Sequence, residues 1–333
     1  MKTINRRRFL QTAALCGTAG LGATGTASRA WATVAPYPER PVQLVIPFAA
    51  GGPTDILGRF LSKGMSQQLG QPLVVVNKPG AGGNIGTQFV ARTAPDGYTL
   101  LLVASSHIIN PSVYEHLQYD PIADFSPISL LAAGPFVLTV RNGLEVGSVA
   151  ELIALARAKA GKLTYASAGI GTANHLAGEL FKQMTGVDLT HVPFNGAAPA
   201  SQAILAGTVD ILFNNMLSGM PMIQVGQVRA LAVTGSARSA VLPALPTVAE
   251  TGVVGFDVQT WYALLAPRGL SKAVRQRLND GAGQVLSSEG GRKLLASQGL
   301  EWHAASPEEV GRFLESERKK WAEIAKRSGA RVV

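Results

Sequence analysis

The apolar positions of this chain alternate between two patterns. Short, mostly apolar runs recur at Val42–Phe48 (VQLVIPF), Leu73–Val76 (LVVV) and Thr99–Ala104 (TLLLVA). Between the first two lies Pro53–Leu69, where Ile56, Leu57, Phe60, Leu61, Met65 and Leu69 recur at helical spacing. Asn84–Arg92 reads as a second helix before the third run. Fully apolar strands separated by helices predict a parallel sheet covered on both faces. The rhythm breaks from Pro111 to Pro135, where Pro111, Pro121 and Pro127 predict irregular chain. It resumes with a strand at Phe136–Val140 and a helix at Ser148–Ala158, with Ser148 as N-cap and Glu151 three residues on. Strands at Leu163–Ser167, Thr190–Phe194, Val209–Asn214 and Arg229–Thr234 and helices at Ala173–Met184 and Pro199–Ala206 complete a second α/β unit. Trp261–Ala266 (WYALLA) reads as a strand returning from that unit. The remainder is helical and includes a capping box at Ser306–Glu309 with Pro307 at the first helical position.

The strand-to-helix junctions carry the chemistry. Ile46–Pro53 (IPFAAGGP) and Val192–Pro199 (VPFNGAAP) form a weak internal repeat, one copy in each α/β unit, and predict two similar lips facing across a cleft. With Pro79–Gly86 and Ser167–Ala173 they make four strand–small-residue-loop–helix junctions. Each loop exposes backbone N–H groups near a helix N-terminus, which bind anions through oriented donors and the helix dipole. Gly and Ala let a ligand approach that backbone closely. Two such loops from each unit describe a clamp on a small carboxylate.

Asn77–Thr87 (NKPGAGGNIGT) also suggests a dinucleotide fingerprint, but its glycines read G-x-G-x-x-x-G. The strand that should end in a ribose-binding acid ends in Ala104-Ser105-Ser106-His107. Other catalytic patterns are missing from the sequence. The five His residues (107, 116, 175, 191, 303) are scattered, with no H-E-x-x-H, no G-x-S-x-G and no Walker A loop. Ser316 and Lys319 match S-x-x-K on a polar helix, where chance explains them. The expectation is a protein with no enzyme activity, no metal and no cofactor.

Much of the positive charge lies at the start of the chain. Lys2 and Arg6–Arg8 precede a small-residue, weakly apolar run to about Ala27, and Ala30-Trp31-Ala32 is an A-x-A cleavage site. Residues 1–32 therefore read as a cleaved export signal. Asn5–Gln11 (NRRRFLQ) is similar to a twin-arginine signal, with an ordinary basic Sec signal as the alternative. Cys16 follows Leu15 rather than a small residue, which argues against lipidation. The formal charge is +9 over the whole chain, and losing five cations with residues 1–32 leaves +4. That mild excess suits an anionic ligand, and the lack of basic blocks with interleaved aromatics argues against nucleic acid. The mature chain has no Cys, hence no disulfide, and no other long apolar run, so it is expected to be soluble; with the export signal, the expectation is a periplasmic protein, taken as a monomer.

Nine segments, in order, carry a family resemblance: IPFAAGGPTDILGR, VVVNKPGAGGNIGT, APDGYTLLL, SSHIINPSVY, DFSPIS, YASAGIGTANHLAGELFK, HVPFNGAAPA, GFDVQTWYALLAP and LASQGLE. The chain resembles the Bug/TctC family, periplasmic solute-binding proteins of tripartite tricarboxylate transporters. The resemblance implies an α/β, two-domain Venus-flytrap fold of the type II periplasmic-binding class. Residues 33–134 plus 258–333 would form domain 1, and residues 135–257 domain 2. It implies capture of a small organic acid and delivery to integral-membrane permease subunits. A ligand-sensing receptor for a signalling system is the competing reading.

The resemblance also implies the site. One ligand carboxylate would sit on Phe48, Ala49, Ala50, Gly51, Thr54 and Asp55, and on Gly80, Ala81, Gly82, Gly83 and Asn84. The second domain would contribute Ser167, Gly169, Thr172, His175, Asn195, Gly196 and Ala197. Asn214 and Asn215 end a strand where open α/β sheets bind ligands, and Asn214 joins the candidates. Trp261 and Tyr262 on the returning strand have the core as their default and a cleft wall as the sharper role; Trp261 is the candidate of the two. Asp55 and His175 each have a plainer role as first-turn residues that complement or cap a helix. Two positions depart from the family pattern. Pro53 interrupts the loop before Thr54-Asp55, and Asn195 stands where a Tyr-Lys or similar pair is common, removing a possible cation.

Overall fold

The computed structural model describes residues 37–330. The expected export signal, residues 1–32, lies outside them. Nine strands and ten α-helices follow one another as β1 (Val42–Ile46), α1 (Pro53–Leu69), β2 (Leu73–Asn77), α2 (Asn84–Ala91), β3 (Thr99–Ala104), α3 (Ser106–Ile109), β4 (Phe125–Arg141), α4 (Val149–Ala158), β5 (Thr164–Ser167), α5 (Ala173–Thr185), β6 (Thr190–Pro193), α6 (Ala197–Leu205), β7 (Ile211–Asn215), α7 (Met216–Gln224), β8 (Val228–Val233), β9 (Gln259–Pro267), α8 (Lys272–Ser287), α9 (Glu289–Ser297) and α10 (Pro307–Ser328) among the described residues.

The strands form one mixed sheet in the order β2-β1-β3-β9-β4-β7-β5-β6, with β8 on the other side of β4. The pairs β1–β2, β1–β3, β5–β6 and β5–β7 are parallel, as the apolar runs predict. β9 runs antiparallel to β3 and to the first part of β4, Phe125–Pro135. From Phe136 onward β4 leaves β9 and pairs antiparallel with β7 and β8. The sheet thus has two α/β halves joined through β4. The parallel sheet expected from the sequence is corrected to a mixed one, because β4 and β9 run antiparallel to their neighbours.

The irregular segment expected between Pro111 and Pro135 holds as far as Asp124, and from Phe125 it is corrected to the first part of β4. Pro lacks an N–H and normally marks a strand edge or bulge. Here the pairing register shifts between Pro127 and Ser129. Pro135 is the last residue paired with β9, where the loss of a donor falls at a change of partner.

Elements with complete local signals form where the pattern puts them. Helix α1 begins with Pro53 at its first position and ends at Gly70 with φ 70°. Its stripe Leu57, Leu61 and Met65 is fully buried with Leu44, Ile46, Leu100 and Leu102 of the sheet. Each such side chain contributes about 1.5–3 kcal/mol of burial. Helix α4 is capped by Ser148, and α10 by the Ser306–Glu309 capping box. Helix α10 packs Val310, Leu314, Trp321 and Ile324 into a second apolar cluster with α5 and β4. Among the described residues no helix is long and apolar enough to cross a membrane.

Candidate functional site

Two adjoining cavities open where the loops after β1, β2, β5 and β6 meet, and both are lined by Phe48 and Ala168. Counting its open mouth, the first holds about 460 Å³. Its lining comes from the starts of α1 (Gly52, Pro53, Thr54), α5 (Thr172, Ala173, Asn174) and α6 (Ala197), from Ala104–Ser106, and from Phe136, Asn215, Thr260 and Tyr262 on central strands. The second, about 540 Å³ by the same measure, is lined by Gly80–Gly83, Tyr114, Gly169, Ile170, Phe194 and Asn195.

Three helices direct their N-termini at the first cavity. First-turn N–H groups have no partner within a helix. No backbone hydrogen bond outside a helix takes those of Thr54, Ala173, Asn174 or Ala197 among the described residues. Asn174 accepts from Thr172 Oγ1 at 2.7 Å and from the Ala168 N–H at 3.4 Å through Oδ1, leaving Nδ2 as a donor with no protein acceptor among the described residues. No Asp, Glu, Lys, Arg, His or Cys lines either cavity. The positive potential is therefore that of helix ends and amides, not of ionised side chains.

The lips are in contact. A methyl group on Gly196 would lie 3.2 Å from Ala49 Cβ, and one on Gly52 would lie 3.8 Å from Ala198 N, so the two copies of the repeat abut. In the opening of α2, Gly80, Ala81, Gly82 and Gly83 all have positive φ (130°, 48°, 62° and 99°). This left-handed turn brings Gly82 so close to Ile170 that a methyl there would sit 2.4 Å from the Ile170 carbonyl oxygen. The Tyr114 hydroxyl donates to that same oxygen at 3.0 Å. Asn110 Nδ2 holds the turn from beneath, donating to Gly82 O at 3.2 Å and to Asn84 Oδ1 at 2.5 Å.

The structure divides the candidate residues evenly. Phe48, Thr54, Thr172 and Ala197 line the first cavity, Phe48 again with Gly80, Ala81, Gly82, Gly83, Gly169 and Asn195 the second. Ala49, Ala50, Gly51, Asn84 and Gly196 belong to the same loops but line neither cavity. Asp55 is buried beneath its loop. Its carboxylate accepts from the Gly51 N–H (2.9 Å), Arg59 Nε (2.8 Å) and Asn77 Nδ2 (3.0 Å). Burial raises its pKa, but these donors outweigh that and hold it below the ordinary carboxylate range. Its role is to fix the loop, and it withdraws the Gly51 N–H from any ligand.

Ser167 and His175 form a similar support under the next loop. Ser167 Oγ accepts from the Gly169 N–H at 3.2 Å and lies 2.6 Å from His191 Nε2. His175 Nδ1 accepts from the Gly171 N–H at 3.4 Å. The rings of Tyr165, His191 and His175 stack at 4.7 and 4.2 Å. Burial pushes His175 down to about 4 and, with help from His175, His191 down to about 3. Ser167 and His191 are thus a serine–imidazole pair that sequence reading did not find, because the two are distant in sequence. The serine is fully buried and lines neither cavity, so the pair supports the loop rather than facing a substrate.

Asn214 and Trp261 point away. Asn214 Oδ1 accepts from Ser218, and Trp261 Nε1 donates to Glu317 at 2.8 Å while packing on Phe313. Their neighbours Asn215 and Tyr262 line the cavity instead. Adjacent strand residues face opposite sides, so a candidate chosen one position off lies on the wrong face. Sequence reading also missed Ser105, Ser106, Asn174 and Thr260.

A sequence model of the tripartite tricarboxylate transporter family receptor matches residues 57–330. The chain belongs to that family. It is 36% identical to protein BugT of Bordetella pertussis over 298 residues, 89% of this chain and 91% of that one. Among solved structures, Rpa4515 of R. palustris with adipate is 38% identical, with a TM-score of 0.86 over 89% of this chain and 100% of that one. The periplasmic binding protein BugD is also 38% identical, with a TM-score of 0.84 over 89% and 99% of the two chains. The fold of this family receptor is therefore the α/β periplasmic-binding-protein fold.

Proposed function

We propose that this receptor is a periplasmic solute-binding protein that captures a small organic acid in the first cavity and delivers it to the membrane permease of a tripartite tricarboxylate-type transporter. One observation carries the reading: three helix N-termini with unused N–H groups converge on a cavity that no charged side chain lines. Each N-terminus is equivalent to roughly half a positive charge. Three of them suit one carboxylate, and the lining offers no nucleophile–base pair to react with it. The family and the adipate in Rpa4515 support the same ligand chemistry.

In this reading, residues 37–134 with 258–330 form one lobe and 135–257 the other. The partner change of β4 at Pro135 and Phe136 supports a hinge at that point. The contacts between loops would then be those of closed lips. A thermal-shift panel of mono-, di- and tricarboxylates tests the function. A ligand at 100 times its dissociation constant adds about 2.7 kcal/mol, which raises the melting temperature by several degrees. A panel in which no acid moves the melting temperature contradicts the reading.

A further inference from the structure

The first cavity contains a second recognition element, apart from the helix N-termini. Asn215 closes β7 and caps α7, where its Oδ1 accepts from the Leu217 N–H at 3.1 Å. That bond fixes the amide, because Nδ2 could not accept in its place. Nδ2 consequently faces Tyr262, and donates to its hydroxyl oxygen at 2.5 Å. The phenol is 1% exposed, and burial drives its pKa upward, so the hydroxyl keeps its proton. With Asn215 donating to the oxygen, that proton must be given elsewhere. No acceptor for it exists among the described residues, and both side chains line the cavity. A buried donor without a partner is costly, so this proton is available to a group in the cavity.

We infer that Tyr262, oriented by Asn215, is a specificity-determining residue that donates to an uncharged oxygen on the bound acid, such as a hydroxyl or carbonyl. This rests on the proposal that the cavity binds a carboxylate. The carboxylate goes to the N–H groups of α1, α5 and α6, and the second oxygen to the phenol, so the two elements together select a bifunctional monoacid. A second carboxylate is disfavoured at Tyr262 because one phenolic proton replaces only part of its hydration. No cation lines the cavity to compensate.

The test is titration calorimetry with straight-chain acids of four, six and eight carbons, each in three forms ending in a methyl, a hydroxyl or a second carboxylate. The expected result is that, at the best chain length, the hydroxyl form binds about tenfold more tightly than the methyl form, and more tightly than the diacid. Tyr262→Phe should bring the hydroxyl-to-methyl ratio close to one. Asn215→Asp keeps an acceptor for Leu217 but gives Tyr262 a carboxylate to donate to. It should collapse the same ratio even though the phenol remains. A purely structural role would weaken all three forms alike and preserve the ratio. An unchanged ratio in the folded variants, or a wild-type preference for the diacid, overturns the inference and leaves the carboxylate reading standing. Failure of every acid to bind overturns both.

Discussion

At the scale of single residues, three imidazoles are kept neutral by burial. His107 and His175 are pushed down to about 4 and His191 to about 3. His107 is buried with Nε2 donating to the Pro121 carbonyl at 2.8 Å and Nδ1 without a partner among the described residues. An unfolded His titrates near 6.5. Between these values the unfolded chain binds more protons, so their contribution is complete above about pH 6.5 and is lost as pH falls towards 4. His107 alone accounts for about 3 kcal/mol across that window. Urea unfolding at pH 7.5, 5.5 and 4.5 should show stability falling at each step, and a flat profile contradicts the burial of these rings. His175 and His191 lie under the Ser167–Thr172 loop, so acid should loosen that lip as well. The same scale shows what a single sequence conceals. That β7 and β9 end or pass near a site was legible, but which of Asn214 or Asn215, and Trp261 or Tyr262, faces it was not. The answer depends on the sheet's neighbours, and a shift of one residue reverses every side chain.

At the scale of elements, local signals decided what could be read. Helix α1 has a proline start, a glycine stop and an unbroken apolar stripe, and its predicted and observed bounds coincide. The sequence carries no helix signal for α7, because Met216–Gln224 contains Pro221 and begins directly from a strand residue acting as its cap. The prolines of β4 carry a breaking signal that the long pairing with β9 overrides. That these small-residue loops mark the cavity was legible, whereas their buried supports (Asp55 with Asn77, and Ser167 with His191) were not, since those contacts cross the sequence. Gly82 gives the sharpest test at this scale. Its φ of 62° and its approach to Ile170 leave no room for a side chain. Gly82→Val should separate the two lips and lower affinity for the best acid at least tenfold. The far-ultraviolet spectrum should be retained, since the turn is outside the core clusters. Unchanged affinity would remove this turn from the binding event.

At the scale of the whole molecule, β4 is the strand that both sheet halves share among the described residues, while the cavity draws on loops from both. That arrangement lets binding draw together groups more than 140 residues apart in the chain, as with Thr54 and Ala197. The proposed ligand is a carboxylate held by the N-termini of α1, α5 and α6. A crystal structure of the protein with its most stabilising acid tests this directly. Carboxylate oxygens should lie within hydrogen-bond distance of first-turn N–H groups such as Thr54 and Ala197, with Asn174 Nδ2 as a further donor. An acid bound elsewhere, for instance in the separate cavity lined by Gly134, Arg238 and Gln259, would contradict it.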